Sequence, residues 1–194
     1  MNTNKIVVCR FSKGRLGEEI AQILGSLIVS MISIAALRRE KQKKRPPFML
    51  VADEVQNFTH GGRFGTLLAE SRKYGITLVM GEQGLYQLPF AADIFSNCPT
   101  QITFNVSGED ASVIEKNWNE PYITSTNITC LPRYTFYARS FGDLGPAAHR
   151  IIGYPTVEKR GDEANPTKLI KASLQRYGKR RKDVIVKINK FLAS

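Results

Sequence analysis

Two adjacent carboxylates end an apolar run in Phe48-Met49-Leu50-Val51-Ala52-Asp53-Glu54. At the tip of a buried strand, such a pair can divide one task. Asp53 can hold a hydrated Mg²⁺, and Glu54 can orient and deprotonate the attacking water. Two acids ending an apolar run are expensive unless they are used. The plainer reading is that they cap the strand or open a loop.

A second chemistry is electrostatic. The 194 residues hold 28 Lys and Arg against 17 Asp and Glu, for a net charge of +11. Nine of these cations and one acid fall in residues 166–194, where Lys179, Arg180, Arg181 and Lys182 are consecutive. Residues 38–45 hold six more cations and one acid. This asymmetry points to an anionic partner, nucleic acid first and a membrane surface second. The alternative is a solvated linker and a solvated helix face. Cys9, Cys98 and Cys130 are odd in number and lack CxxC spacing. They read as reduced, mostly buried thiols of a cytosolic protein. His60 and His149 are solitary, which argues against a metal role. Met1 to Lys5 leads directly into a strand pattern, so no signal peptide is read.

The elements that must position the acids alternate along the chain. Strands are expected at Lys5–Phe11, Phe48–Ala52, Ile76–Met80 and Gln101–Val106. Helices are expected from Glu18 to about Arg39, from Phe64 to Tyr74, and over Glu109–Asn119 with Val113, Ile114 and Trp118 inward. Leu85–Asn97 reads as a broken helical connection around Pro89. Strand–helix–strand repetition predicts an α/β fold, with a mostly parallel sheet covered by helices on both faces. Thr135–Phe141 and Arg150–Tyr154 add a small antiparallel piece around the turn 142–145. Val157–Pro166 reads as a charged linker, and Thr167–Tyr177 and Asp183–Leu192 as tail helices. The stretch Ile20–Leu37 carries no charge over 18 residues, the lower limit for a membrane span. Gln22, Ser26, Ser30 and Ser33 draw a polar stripe along it, with Leu24, Leu27, Ile28, Met31, Ile34 and Ala35 opposite. That favours a helix packed on the sheet by its large apolar side, with the polar stripe against a second surface.

Three motifs stand in order: Phe11-Ser12-Lys13-Gly14-x-x-Gly17 before a long helix, the Asp53-Glu54 strand, and Glu70-Ser71-Arg72-Lys73-Tyr74-Gly75 leading through a strand to Gln83. Together, over about residues 5–154, they resemble the C-terminal half of the motor domain of the HerA–FtsK superfamily. The nearest resemblance is to TraD/TraG-like coupling proteins of type IV secretion. The resemblance implies a RecA-like P-loop NTPase core in which Phe48–Glu54 is the Walker B strand. Asp53 would be the outer-sphere Mg²⁺ partner and Glu54 the general base. Gln83 would sense the γ-phosphate, and Arg72 would act as an arginine finger on a neighbouring subunit's ATP. Arg72 could instead be an ordinary surface arginine, and Gln83 could satisfy a strand-end amide. The family usually has a small uncharged residue where this chain has Glu82.

No Gly-x-x-x-x-Gly-Lys-Ser/Thr occurs in the 194 residues. The resemblance places the strand leading to that motif between Ile76–Met80 and Gln101–Val106. The expected organisation is a partial RecA-like core over 1–155, a linker over 156–166 and a basic helical tail over 167–194. The expected function is the C-terminal part of a ring-forming, ATP-driven DNA translocation motor of conjugation, type IV secretion or mobile-element transfer, not a self-sufficient ATPase. ATP and Mg²⁺ would be used only with an N-terminal half. DNA and other motor subunits would be partners, in the cytoplasm and with only indirect membrane contact. The alternative is a non-enzymatic module that docks on a full-length motor.

Overall fold

The computed structural model describes residues 6–59, 63–142, 145–154 and 166–193. The chain divides into two compact units, Met1–Gly153 and Tyr154–Ser194. The first unit is built around two apolar runs that pair in parallel. β1 (Phe48–Ala52) lies beside β2 (Ile76–Met80), with Phe48 opposite Ile76 and Ala52 opposite Met80. Side chains alternate between the faces of a strand. Phe48, Leu50 and Ala52 therefore join Ile76, Leu78 and Met80 in one core. That core is closed by α2 (Glu18–Leu37), α3 (Arg63–Glu70) and α4 (Ala91–Asn97), through Val29, Phe64, Leu67 and Ile94 among others. The other face is not covered as expected. Met49, Val51 and Val79 there are 63%, 64% and 45% exposed.

α2 follows α1, the single turn Lys13–Leu16, and packs by a different side from the one the polar stripe suggests. Its buried edge is Ala21, Gly25, Val29, Ser33 and Ala36, while Ile23, Leu27 and Met31 are exposed. Small residues win this edge because they admit a close neighbour. A Cβ on Gly25 would clash with the edge of the Phe58 ring. Phe58 closes the 3₁₀ turn Val55–Phe58, directly after Glu54. Gly25→Leu should therefore displace that turn and cost about 1–3 kcal/mol, the usual range for overpacking. The check is the urea midpoint of the full chain, which should fall at unchanged m-value. By length and composition α2 is also apolar enough to cross a membrane.

The second sheet is antiparallel. β3 (Thr100–Thr103) pairs with β4 (Thr135–Gly142), and β4 with β5 (Gly145–Ile152). The run expected to extend the parallel sheet thus takes an antiparallel neighbour. Short apolar runs announce a strand without its direction. α5 (Gly108–Trp118) and α6 (Ser125–Thr129) pack here around Ile114, Trp118 and Ile128. The buried Trp118 Nε1 donates to Gln101 Oε1 at 2.6 Å. Ser107 caps α5 by accepting from the Asp110 N–H. Glu115 accepts from the Ser125 N–H at 2.6 Å, which fixes α6 and holds that carboxyl below its ordinary range. Val113, expected inward, is 42% exposed. α6 was not anticipated from the sequence.

Other expectations are corrected. Residues 6–10 form no strand, and Ile6, Val7 and Val8 are exposed; among the described residues no strand pairs with them. Lys5 lies outside the described residues, as do His60, most of the expected charged linker and two residues of the 142–145 turn. Cys9 and Cys130 are exposed rather than buried, and only Cys98 is half-buried. Burial pushes the Cys98 thiol pKa up. Among the described residues, β2 has a strand partner on one edge only, and so does β3.

The second unit holds α7 (Pro166–Tyr177) and α8 (Arg181–Leu192). Lys179 and Arg180 precede α8, and Arg181 and Lys182 open it. A helix N-terminus is already positive, so the four cations reinforce its field. All four are exposed.

Candidate active site

Parallel pairing places the C-terminal ends of β1 and β2 side by side, and there the expected residues meet. The Gly81 N–H donates to Ala52 O at 2.9 Å, and the Val55 N–H donates to Gly81 O at 3.1 Å. These bonds carry the sheet ladder one residue past the strands. A Cβ on Gly81 would sit 2.9 Å from Asp53 Oδ1, so a side chain there would have to push the Asp53 carboxylate aside. The same Oδ1 accepts the Glu54 N–H at 3.1 Å.

Glu54 adopts the left-handed conformation, φ 53° and ψ 57°. Both of its carboxylate oxygens are held. Gln83 Nε2 donates to Oε1 at 3.3 Å, and Asn57 Nδ2 donates to Oε2 at 3.1 Å. Asn57 is buried, and its Nδ2 also reaches Glu54 O at 3.1 Å. Asp53, Glu54 and Asn57 line a cleft of about 250 Å³, together with Phe11 and Lys13 from the first motif and Arg10 just before it. Among the described residues no group of three or more His, Cys, Asp or Glu gathers into a metal cage.

Two contributors were missed in the sequence. Asn57 stands three residues after Glu54, a spacing that one turn of 3₁₀ helix brings together. Glu82, the acid just before Gln83, is the other. Its carboxylate accepts the Gln83 N–H at 2.7 Å and the Gly84 N–H at 3.4 Å, and its other oxygen accepts the Gln56 N–H at 3.0 Å. Glu82 thereby ties the loop carrying Gln83 to the turn after Glu54. Asp110, buried on α5, anchors the far side of that loop by accepting from the Leu85 N–H.

Arg72 is not brought to this group. It is exposed on the 3₁₀ turn Ser71–Tyr74, before β2 rather than after it. With a rise of about 3.3 Å per residue, the strand separates the two ends by roughly 15 Å.

Residues 47–116 match the family model described as the TraM recognition site of TraD and TraG. The chain is TraD/TraG-like over this segment. That span contains Asp53, Glu54, Arg72 and Gln83. The solved structures agree in fold. The unbound bacterial conjugative coupling protein TrwBdeltaN70 superposes with a TM-score of 0.55 at 18% identity, over 74% of this chain and 40% of that one. TrwB with the ATP analogue ADPNP gives 0.55 at 18%, over the same shares. TrwB with ADP and Mg²⁺ gives 0.56 at 17%, over 79% and 40%. The chain thus spans about two-fifths of the TrwB chains it matches. Among curated proteins, none matches.

Proposed function

We propose that this chain supplies the hydrolytic side of a ring-forming, ATP-driven DNA-translocating motor of conjugation or type IV secretion, and that it is not a self-sufficient ATPase. One observation carries the proposal: the Glu54 carboxylate, beside Asp53 at the C-terminal ends of parallel strands, is gripped at both oxygens by Gln83 and Asn57. A base held this way is pre-aimed and loses little entropy on use.

The residues fit one side of Mg²⁺–ATP. Asp53 is exposed at the cleft, and its Oδ2 is suited to accept from metal-bound water. Mg²⁺–ATP, when bound, supplies the electrophilic γ-phosphorus and neutralises charge as it develops. Glu54 takes the proton of the attacking water, and Gln83 holds Glu54 in register by donating to its Oε1. Arg72, at the other strand ends, serves a neighbouring subunit. The phosphate side is not fitted by the described residues, because the cradle of backbone N–H groups that phosphates require belongs to a motif these 194 residues lack. The free edges of β2 and β3 suit insertion of the strand that carries it. The nucleotide-bound TrwB structures support this use of ATP and Mg²⁺.

In this reading 1–155 is the partial core, 156–166 a linker and 167–194 the basic tail. The protein works on the cytoplasmic side, near the membrane through the secretion complex. Co-expression with a segment bearing the phosphate loop, followed by a DNA-stimulated ATPase assay, tests it. Absence of turnover in a complex that forms and binds nucleotide would overturn it.

The tail is assigned to DNA. Replacing Lys179, Arg180, Arg181 and Lys182 together by Ala should flatten the slope of log affinity against log salt. The expected change is about 0.9 for each phosphate no longer neutralised. An unchanged slope would remove the tail from the DNA path.

A second reading has its own support. The exposed Met49, Val51 and Val79 and the two free strand edges are docking features. The matching family description names recognition of TraM. On that reading the chain is a non-enzymatic module that docks on a full-length motor or a TraM-like partner. An assembled complex that gains no ATPase activity would favour it.

A further inference from the structure

We propose that the cleft at the N-terminal ends of β1 and β2 binds clustered phosphate oxyanions between Lys41, Lys43 and Arg72, with Arg45 as its fixed floor. The cleft is about 570 Å³, and five cations against the single acid Glu40 line it. It lies across the sheet from Asp53 and Glu54, so its occupancy does not depend on hydrolysis there.

Arg45 is pre-placed. Its Nε donates to Arg39 O at 2.9 Å, Nη1 to Lys73 O at 2.8 Å and Nη2 to Glu40 O at 2.7 Å. A guanidinium has five N–H donors, so two remain for a ligand. A donor already immobilised loses little freedom when it binds. The fully buried Arg39 braces the same wall by donating to Pro46 O and Gly75 O. Lys73 is already matched, since its Nζ lies 3.3 Å from Glu40, an interaction that raises its pKa. Capping of carbonyls at helix ends explains Arg39 and Arg45. It does not explain Lys41, Lys43 and Arg72, three exposed cations around the same concavity. Like charges held this close repel one another until an anion enters. The cleft is larger than one phosphate needs and suits several linked ones. A free oligophosphate and a nucleic-acid backbone share that chemistry.

The test uses the full chain at low salt with two probes, tripolyphosphate by calorimetry and a labelled oligo-dT strand by anisotropy. Lys41→Glu combined with Lys43→Glu is compared with the fourfold Ala variant at 179–182. Both lysines are exposed, and Arg72 stays intact, so failure here leaves the hydrolytic role undecided and the reverse also holds. The expected result is at least tenfold weaker binding of tripolyphosphate in the charge-reversed variant and little change in the tail variant. Amide shifts at Lys73 and Gly75 should accompany titration of the native chain. Weakening of tripolyphosphate binding alone assigns the site to free oligophosphates. Weakening of oligo-dT binding alone assigns it to the phosphodiester backbone. If charge reversal weakens neither probe, the site does not exist.

Discussion

Glu54→Gln is expected to leave nucleotide bound and unhydrolysed once a segment carrying the phosphate loop is supplied. The amide keeps the size and shape of the side chain and loses the base. One further change is specific to this site. The carboxylate accepts from both Gln83 and Asn57. A Gln side chain has a single acceptor oxygen, so one of those donors would face an NH₂ group. Turnover should fall about 10²-fold or more, the usual contribution of a general base. Nucleotide affinity should stay within a few-fold, because the substitution keeps the side chain's size and leaves Asp53 in place. The measurements are steady-state ATPase rates and equilibrium binding on the same preparation. Retention of more than about a tenth of the turnover would move the base elsewhere.

The second large effect is expected at Arg72. Loss of an arginine finger typically lowers hydrolysis by about 10³–10⁵. Arg72 and Glu54 sit at opposite ends of the same two strands, so they cannot serve one nucleotide within one subunit. Arg72→Ala alone should therefore be inactive. Assemblies mixing it with Glu54→Gln subunits should regain part of the activity, because some interfaces would pair an intact base with an intact arginine. A mixture as inactive as either parent would give Arg72 a structural role within its own chain.

The parts of the site that were legible in the sequence are those set by chain direction. Two apolar runs that pair in parallel must finish at one edge, so residues just past Ala52 and Met80 had to meet. Chain direction explains why Asp53, Glu54 and Gln83 lie together and why Arg72, placed before its strand, lies at the far edge; the roles given to them come from the family resemblance. What could not be read was set by neighbours distant in sequence. Periodicity along α2 marked two faces, and the buried edge is neither of them, because the Phe58 ring packs against Gly25 with no room for a Cβ. The apolar composition of Ile6–Val8 promised a strand, yet a strand exists only where a neighbour offers hydrogen bonds. Thr100–Thr103 read as a strand without showing that β4 would run against it. Glu82 looked like a departure from pattern, and its three backbone partners come from two loops that only the fold brings together.

The left-handed backbone of Glu54 lets the two readings of this protein be told apart by drift. A glutamate in that conformation costs the fold about 1 kcal/mol that glycine would not, and asparagine would tolerate it more easily. Neutral substitution at this one codon would therefore tend to stabilise a chain that had given up hydrolysis. A carboxylate carried there at a thermodynamic loss fits a protein that uses it in a reaction, and a pure docking module gains nothing from it.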